Sequence, residues 1–208
     1  MLNKFARAFA TRLLTPIAAF FLKIGLKPDA VTWIGTIGAC AGALYFFPRG
    51  EFVAGVLFIA VFVIFDLLDG TMARMSGQSS TWGAFLDSTL DRIADGAVFG
   101  GLMLYYARQP GEAVTTWATL ACLIFGFVTS YARARAEGLG LTGANTGLAE
   151  RADRLVVVLL VTFIVGLFDL PGEILAATLW LLALASAFTV GQRMLGVHRE
   201  IRAGQKNG

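Results

Sequence analysis

The stretch Asp66-Leu-Leu-Asp69-Gly70-Thr-Met-Ala73-Arg74, followed after eight residues by Gly83-Ala-Phe-Leu-Asp87-Ser-Thr-Leu-Asp91, sets four carboxylates in or beside segments apolar enough to cross a bilayer. Ionisable side chains at membrane depth are costly and rare, and they mark function by default. Asp66 and Asp69 are three residues apart and Asp87 and Asp91 four, so each pair shares one face of a helix. The surroundings decide the fold class. Of the 208 residues 57% are hydrophobic and 15% charged, with a mean hydropathy of +0.71, more apolar and less charged than a soluble domain. The chain therefore reads as an all-α, polytopic membrane protein. At about 20 residues per span, its length holds roughly six transmembrane helices with short connections and no separate soluble domain.

On the N-terminal side, residues 2–14 place Leu2, Phe5, Phe9 and Leu13 on one helical face with Lys4 and Arg7 opposite. That is the pattern of an amphipathic helix lying in the headgroup plane. A signal peptide is the rival reading, but basic residues recur through Arg12 and no uninterrupted apolar run precedes a cleavage site. Pro16 interrupts the pattern, a short apolar piece follows, and residues 1–27 form the expected juxtamembrane region. Asp29, after Pro28 and before an apolar run, suits the N-cap of a first span reaching about Phe47. The remaining spans are expected over Phe52 to Met75, Trp82 to Ala107, Ala113 to Glu137, Leu148 to Phe168 and Glu173 to Val197. Turn clusters such as Pro48-Arg49-Gly50-Glu51 separate them, and the loop from Gly138 to Gly147 is long enough to carry function. Residues 28–198 thus make the membrane domain and 199–208 a cytoplasmic tail. Cys40 and Cys122 lie in apolar runs as small fillers, and Gly100 and Gly101 read as close-packing positions.

Charge placement sets the orientation. Of the 17 Lys and Arg, Arg49 and Arg108 fall at one set of helix ends and the rest at the other. The positive-inside rule puts both termini and the acidic stretch toward the cytoplasm. A net charge of +3 is too small to argue for nucleic acid and is explained by this orientation.

With the second and third spans antiparallel and joined by a short loop, the two acidic faces can meet. Four converging carboxylates repel strongly in a low dielectric, and one or two divalent cations resolve the conflict. Oxygen ligands without His or Cys select a hard ion such as Mg²⁺ or Mn²⁺. Gly70 and Gly83 flank the cluster, where a missing side chain lets a ligand approach the backbone. Arg74 suits either a structural pair with a carboxylate or a clamp on a phosphate.

The run from Asp66 to Asp91, D-x2-D-G-x2-A-R-x8-G-x3-D-x3-D, resembles the signature of the CDP-alcohol phosphotransferases, membrane enzymes that make phospholipids from CDP-linked donors. The resemblance implies a homodimer of six-helix subunits with the site open to the cytoplasm. It implies that Asp66, Asp69, Asp87 and Asp91 hold two metal ions, Mg²⁺ or Mn²⁺, and that Asp91 is also the general base. It further implies that Gly70, Arg74, Ser80 and Gly83, with Asp29, Ala30, Val31 and Thr32 at the start of the first span, contact the CDP-diacylglycerol donor. Asp95 lies outside the motif and reads as a supporting group or a partner of Arg92.

The acceptor must be sought elsewhere. Arg133, Arg135, Arg151, Arg154 and Arg193 gather at the cytoplasmic ends of spans four to six. A lone Arg there is ordinarily a membrane anchor, but five from three helices look like a pocket for a phosphomonoester, which a guanidinium grips with two parallel hydrogen bonds. Of these, Arg133, Arg151, Arg154 and Arg193 are taken as the acceptor-phosphate contacts. The wider pattern, including Ser130-Tyr131-x-Arg133-Ala-Arg135-Ala-Glu137 and Glu150-Arg151-x-x-Arg154-Leu155, resembles the bacterial phosphatidylinositol-phosphate synthases. That resemblance implies a phosphorylated inositol as acceptor and a bacterial cytoplasmic membrane as location. Glycerol 3-phosphate and free inositol are the alternative acceptors. A divalent-cation transporter is the alternative of another class, and it gives no reason for Gly70, Arg74 and Gly83 at their spacing.

Overall fold

The structure is a computed structural model that describes residues 14–77, 80–145 and 147–206, with the side chains of Asp66 and Lys206 outside that description. The amphipathic pattern of residues 2–14 therefore lies, except for Leu14, outside the described residues. The elements are α1 (Leu14–Lys23), α2 (Pro28–Phe46), a 3₁₀ turn at Phe47–Arg49, α3 (Phe52–Ser76), α4 (Thr81–Tyr106), α5 (Ala113–Glu137), α6 (Arg151–Leu167) and α7 (Gly172–Lys206). No strand occurs among the described residues.

Several ends differ from the sequence reading for local reasons. Asp29 is not the N-cap of α2. Pro28 takes the first helical position, which its missing amide hydrogen suits, and Asp29 follows inside the first turn, where a carboxylate complements the helix dipole. Pro16 is the third described residue of α1. The start of α6 falls at Arg151 instead of Leu148 because Glu150, extended in backbone, forms a capping box with Asp153. Of the expected tail, residues 199–206 are helical, since α7 continues without a break from Gly172 to Lys206.

Among the described residues four helices are long and apolar enough to cross a membrane: α2 with its 3₁₀ extension, α3, α5 and α7. The other two long helices differ for identifiable reasons. The 26 residues of α4 carry Asp87, Asp91, Arg92 and Asp95, while α6 has 17 residues and opens with Arg151, Asp153 and Arg154.

Two compact units are present. One comprises the described residues up to Tyr45 together with Leu57–Val98. Its core joins Leu14 and Ala18 of α1, Val31 of α2, and Leu68 and Met72 of α3, with Phe21, Leu22, Leu26 and Phe65 packed around them. Small residues on α2 shape the rest. Gly35, Gly38, Ala39, Gly42 and Ala43 recur at three- and four-residue steps and are all buried, giving the close helix approach that small stripes allow in membranes. A Cβ on Gly38 would meet the Phe62 ring at 2.1 Å, and one on Gly42 the Phe58 ring at 2.5 Å. The α3 stripe of Phe58, Phe62 and Phe65 ends, four residues on, at Asp69. The same α2 face ends at Thr32.

The other unit comprises Phe46–Val56 and the described residues from Phe99 onward. Within it α7 packs along α5 and against α6, and Cys122 of α5 donates to the Leu179 carbonyl of α7 at 3.0 Å. Cys40 and Cys122 are both free thiols.

Candidate active site

A cleft of about 360 Å³ opens in the first unit at the N-terminal ends of α2 and α4 and the C-terminal part of α3. Pro28, Asp29 and Thr32 line it from α2, Asp69, Gly70, Ala73 and Arg74 from α3, and Ser80, Gly83, Ala84 and Asp87 from the start of α4 and the residue before it. The antiparallel register seen in the Gly42–Phe58 and Gly38–Phe62 contacts carries on to this end, where the Thr32 hydroxyl donates to Oδ2 of Asp69. Both residues are buried, at 7% and 8% exposure. A carboxylate so enclosed needs hydrogen-bond donors, and the small-residue stripe of α2 is what brings this donor to it.

Other groups are placed by local rules. Ser80 precedes α4, and its Oγ accepts the Gly83 amide at 3.0 Å, the bond of an N-cap residue to the third helical position. Gly83 also lies near Asp29, since a Cβ there would stand 3.9 Å from Oδ1 of Asp29. Arg74 turns back along its own helix, donating from Nη2 to Oγ1 of Thr71 at 3.1 Å and lying over Gly70. The Asp87 side chain is exposed on the cleft wall.

The expected site residues divide accordingly. Asp29, Thr32, Asp69, Gly70, Arg74, Ser80, Gly83 and Asp87 share the cleft. Ala30 is half-buried off the lining, and Val31 is wholly buried in the core. Asp91 stands one helical turn beyond Asp87, with its Oδ2 3.3 Å from Nη2 of Arg92, whose Nε is 3.7 Å from Oδ2 of Asp95. Arg92 thus bridges two acids of α4. Among the described residues no three Asp, Glu, His or Cys converge as a ligand set, and the side chain of Asp66 is outside the description. The donor set on the cleft wall, Asp69 and Asp87 with no nitrogen or sulfur ligand, fits a hard divalent cation.

The arginines belong to the second unit and lie in two settings. Arg133 is exposed and pairs with Glu137 at 2.9 Å, one turn along α5, and Arg151 is half-buried at the first position of α6. Arg154 is 1% exposed, donates from Nη1 to the Ala149 carbonyl at 3.0 Å and packs on Gly126. Arg193 is 4% exposed and donates from Nη1 to the Thr129 carbonyl at 2.6 Å, while its buried Nε has no hydrogen-bond partner among the described residues. Arg133, Glu150 and Glu137 stand within electrostatic reach of it. An anchoring arginine extends its head to water; Arg154 and Arg193 do the opposite.

Comparison with known proteins identifies the family. The sequence profile of CDP-alcohol phosphatidyltransferases matches residues 26–191. A phosphatidylinositol phosphate synthase from Streptomyces avermitilis is 52% identical over 204 residues, 96% of this chain and 84% of that protein. The Mycobacterium tuberculosis phosphatidylinositol phosphate synthase is 45% identical over 193 residues, covering 91% of this chain and 87% of its own. Crystal structures of the M. tuberculosis enzyme superpose closely. One with CDP-DAG bound has a TM-score of 0.84 over 89% of this chain and 94% of that one. Another, in complex with manganese and citrate, has a TM-score of 0.85 over 88% of each.

Proposed function

The chain belongs to the CDP-alcohol phosphatidyltransferase family, and from that premise we propose that it transfers the phosphatidyl group of CDP-diacylglycerol to a hydroxyl of a phosphorylated inositol, giving phosphatidylinositol phosphate and CMP. The observation that carries this reading is the cleft that gathers Asp69, Gly70, Arg74, Gly83 and Asp87 of the signature around one opening. The names and bound ligands of relatives at 45–52% identity support the substrates.

In the proposed reaction the Asp91 carboxylate takes the proton of the acceptor hydroxyl. The freed oxygen forms a bond to the phosphorus that bears diacylglycerol, the bond from that phosphorus to the CMP oxygen breaks, and CMP leaves. Gly70 and Gly83 keep the cleft wall open to the diphosphate, and Arg74 donates to its oxygens. Asp29, Ser80 and Thr32 edge the same opening, with Thr32 also orienting Asp69. Ala30 and Val31 contribute through the backbone of the first turn of α2. Asp66, Asp69, Asp87 and Asp91 are the residues to hold two divalent cations, Mg²⁺ or Mn²⁺, which when bound supply positive charge against the diphosphate. A crystal structure of a 45%-identical relative with manganese supports that cofactor class.

Arg133, Arg151, Arg154 and Arg193 are assigned to the acceptor phosphate. The supporting observation is the buried Arg193 with its unsatisfied Nε. A buried guanidinium donor without an acceptor is costly, and a phosphate oxygen removes the cost.

We extend the proposal to the membrane arrangement. Residues 28–198 span six times, with α4 and α6 joining the four more apolar helices, behind a juxtamembrane region at 1–27 and ahead of a tail at 199–208. At 1.5 Å per residue α6 reaches about 25 Å, near the lower limit for a span. The chain works as a homodimer in the bacterial cytoplasmic membrane, its site facing the cytoplasm, a placement that the Lys and Arg distribution supports.

The test is CMP release by the purified protein from CDP-diacylglycerol with Mg²⁺ or Mn²⁺ and, in parallel, inositol 1-phosphate, free inositol, glycerol 3-phosphate or serine. Release with inositol phosphate well above the others is expected. Preference for glycerol 3-phosphate would refute the acceptor assignment, and no nucleotide release with any acceptor would refute the transferase reading.

A further inference from the structure

The loop between α5 and α6 is fastened to α7 at four successive turns. Thr189 Oγ1 accepts the Ala149 amide at 3.0 Å, and Gln192 Oε1 accepts the Leu148 amide at 3.0 Å. Gly196 and Gly143 touch through their backbones, so closely that a Cβ on Gly143 would lie 2.6 Å from the Gly196 carbonyl carbon. Glu200 closes the series. Its carboxylate accepts the Thr142 amide at 2.9 Å, the Gly143 amide at 2.6 Å and the Thr142 hydroxyl at 3.1 Å. Residues 189, 192, 196 and 200 are three and four apart and form one face of α7, with the loop running antiparallel over it. Two consecutive amides aimed at one carboxylate make an anion-binding nest, filled here by the chain's own Glu200.

This loop leads straight into the arginine-bearing start of α6. Arg154 donates to Ala149, a residue of the loop, and Arg193 lies on Gly147 beside the same α7 face. The loop's position therefore fixes where Arg151, Arg154 and Arg193 stand relative to one another. Thr189, Gln192 and Glu200 are hydrogen-bond fastenings, and Glu200 is the charged one, three bonds strong. It lies beyond residues 26–191, the span matched by the family profile.

We propose that Glu200 is a positioning residue for the acceptor half of the reaction: by fastening Thr142 and Gly143 to α7 it holds the arginines of α6 and α7 in the register that grips a phosphorylated acceptor. The inference rests on the reading of those arginines as acceptor contacts. Glu200 touches neither substrate, and its effect passes through the loop.

The experiment uses the full chain in lipid or detergent with Mn²⁺, comparing wild type, Glu200→Ala and Glu200→Gln. It reads KM for the acceptor, KM for CDP-diacylglycerol, kcat, and hydrogen exchange of the loop amides. Loss of charge-assisted bonds should raise acceptor KM on the order of tenfold for the alanine variant. The glutamine variant keeps one acceptor oxygen and should fall between alanine and wild type, and it carries the test if alanine does not fold. Loop exchange should accelerate in the same order, with donor KM and kcat within about twofold of wild type. An unchanged acceptor KM despite faster loop exchange would overturn the proposal, as would equal changes in both KM values or a fall in kcat alone. The acceptor used is whichever phosphorylated alcohol supports CMP release in wild type. A chain active only on glycerol 3-phosphate thus refutes the inositol assignment, while the Glu200 split is still decided on that acceptor.

Discussion

Replacing Thr32 by Val removes one hydrogen-bond donor from the cleft and almost nothing else. The Thr32 hydroxyl has a single proton and two neighbouring acceptors, the Pro28 carbonyl at 3.2 Å and the shorter contact to Oδ2 of Asp69. The nearer, charged acceptor wins that proton. A hydrogen bond to a charged group is worth about 1.5–3 kcal/mol. Because Asp69 also borders the cleft, water can replace part of the loss, so the low end applies, equivalent to a factor of about ten. Groups that orient metal-binding carboxylates cost about 10–100-fold in metal affinity or activity when removed, which agrees. The assay is CMP release at saturating substrates as a function of Mn²⁺ concentration, in wild type, Thr32→Val and Thr32→Ser. The valine variant should need roughly tenfold more Mn²⁺ for half-maximal rate, and serine should restore most of the difference. A half-maximal Mn²⁺ concentration unchanged in the valine variant would refute the claim that Thr32 orients a metal-binding Asp69.

Asp91→Asn should abolish turnover while sparing CDP-diacylglycerol binding, measured by ligand-induced thermal stabilisation; retained turnover removes Asp91 as the base. Arg193→Gln should raise acceptor KM by about tenfold or more with donor KM little changed, and equal effects on both would make Arg193 structural. Gly196→Ala drives a Cβ to 2.1 Å from the Gly143 carbonyl oxygen and should lower thermal stability by about 1–3 kcal/mol, whereas Gly100→Ala, with nothing within 4 Å among the described residues, should hold it or raise it by up to about 1 kcal/mol; a reversed order contradicts this packing. His198→Ala should be silent in CMP release.

Helix order and most helix ends were readable from apolar runs bounded by turn clusters, and α3, α4 and α5 fall within one residue of expectation at each end. The misses have local causes. At α2 the proline, not the carboxylate after it, took the first position, and at α6 the acids of Glu150-Arg151-x-Asp153 serve as caps. A Cβ on Gly100 would meet nothing within 4 Å among the described residues; a glycine in an apolar run does not reveal whether a neighbour within the chain faces it. The cleft was legible because its residues are chemically conspicuous and close in sequence. Thr32 was placed near the donor by resemblance alone, and its bond to Asp69 depends on a register set by Gly38 and Gly42. Ser80 sits three residues before Gly83, where a serine N-cap was available to be read. The fastening by Glu200 depends on a loop packing against α7 across 57 and 58 residues of sequence, which no local pattern encodes.

The central claim is phosphatidyl transfer to an alcohol that keeps its own phosphate. Mass spectrometry of the lipid formed from CDP-diacylglycerol and inositol 1-phosphate tests it most directly. A lipid carrying inositol and two phosphates, formed in step with CMP, is the predicted result; a lipid with a single phosphate, or CMP released without any new inositol lipid, would contradict it.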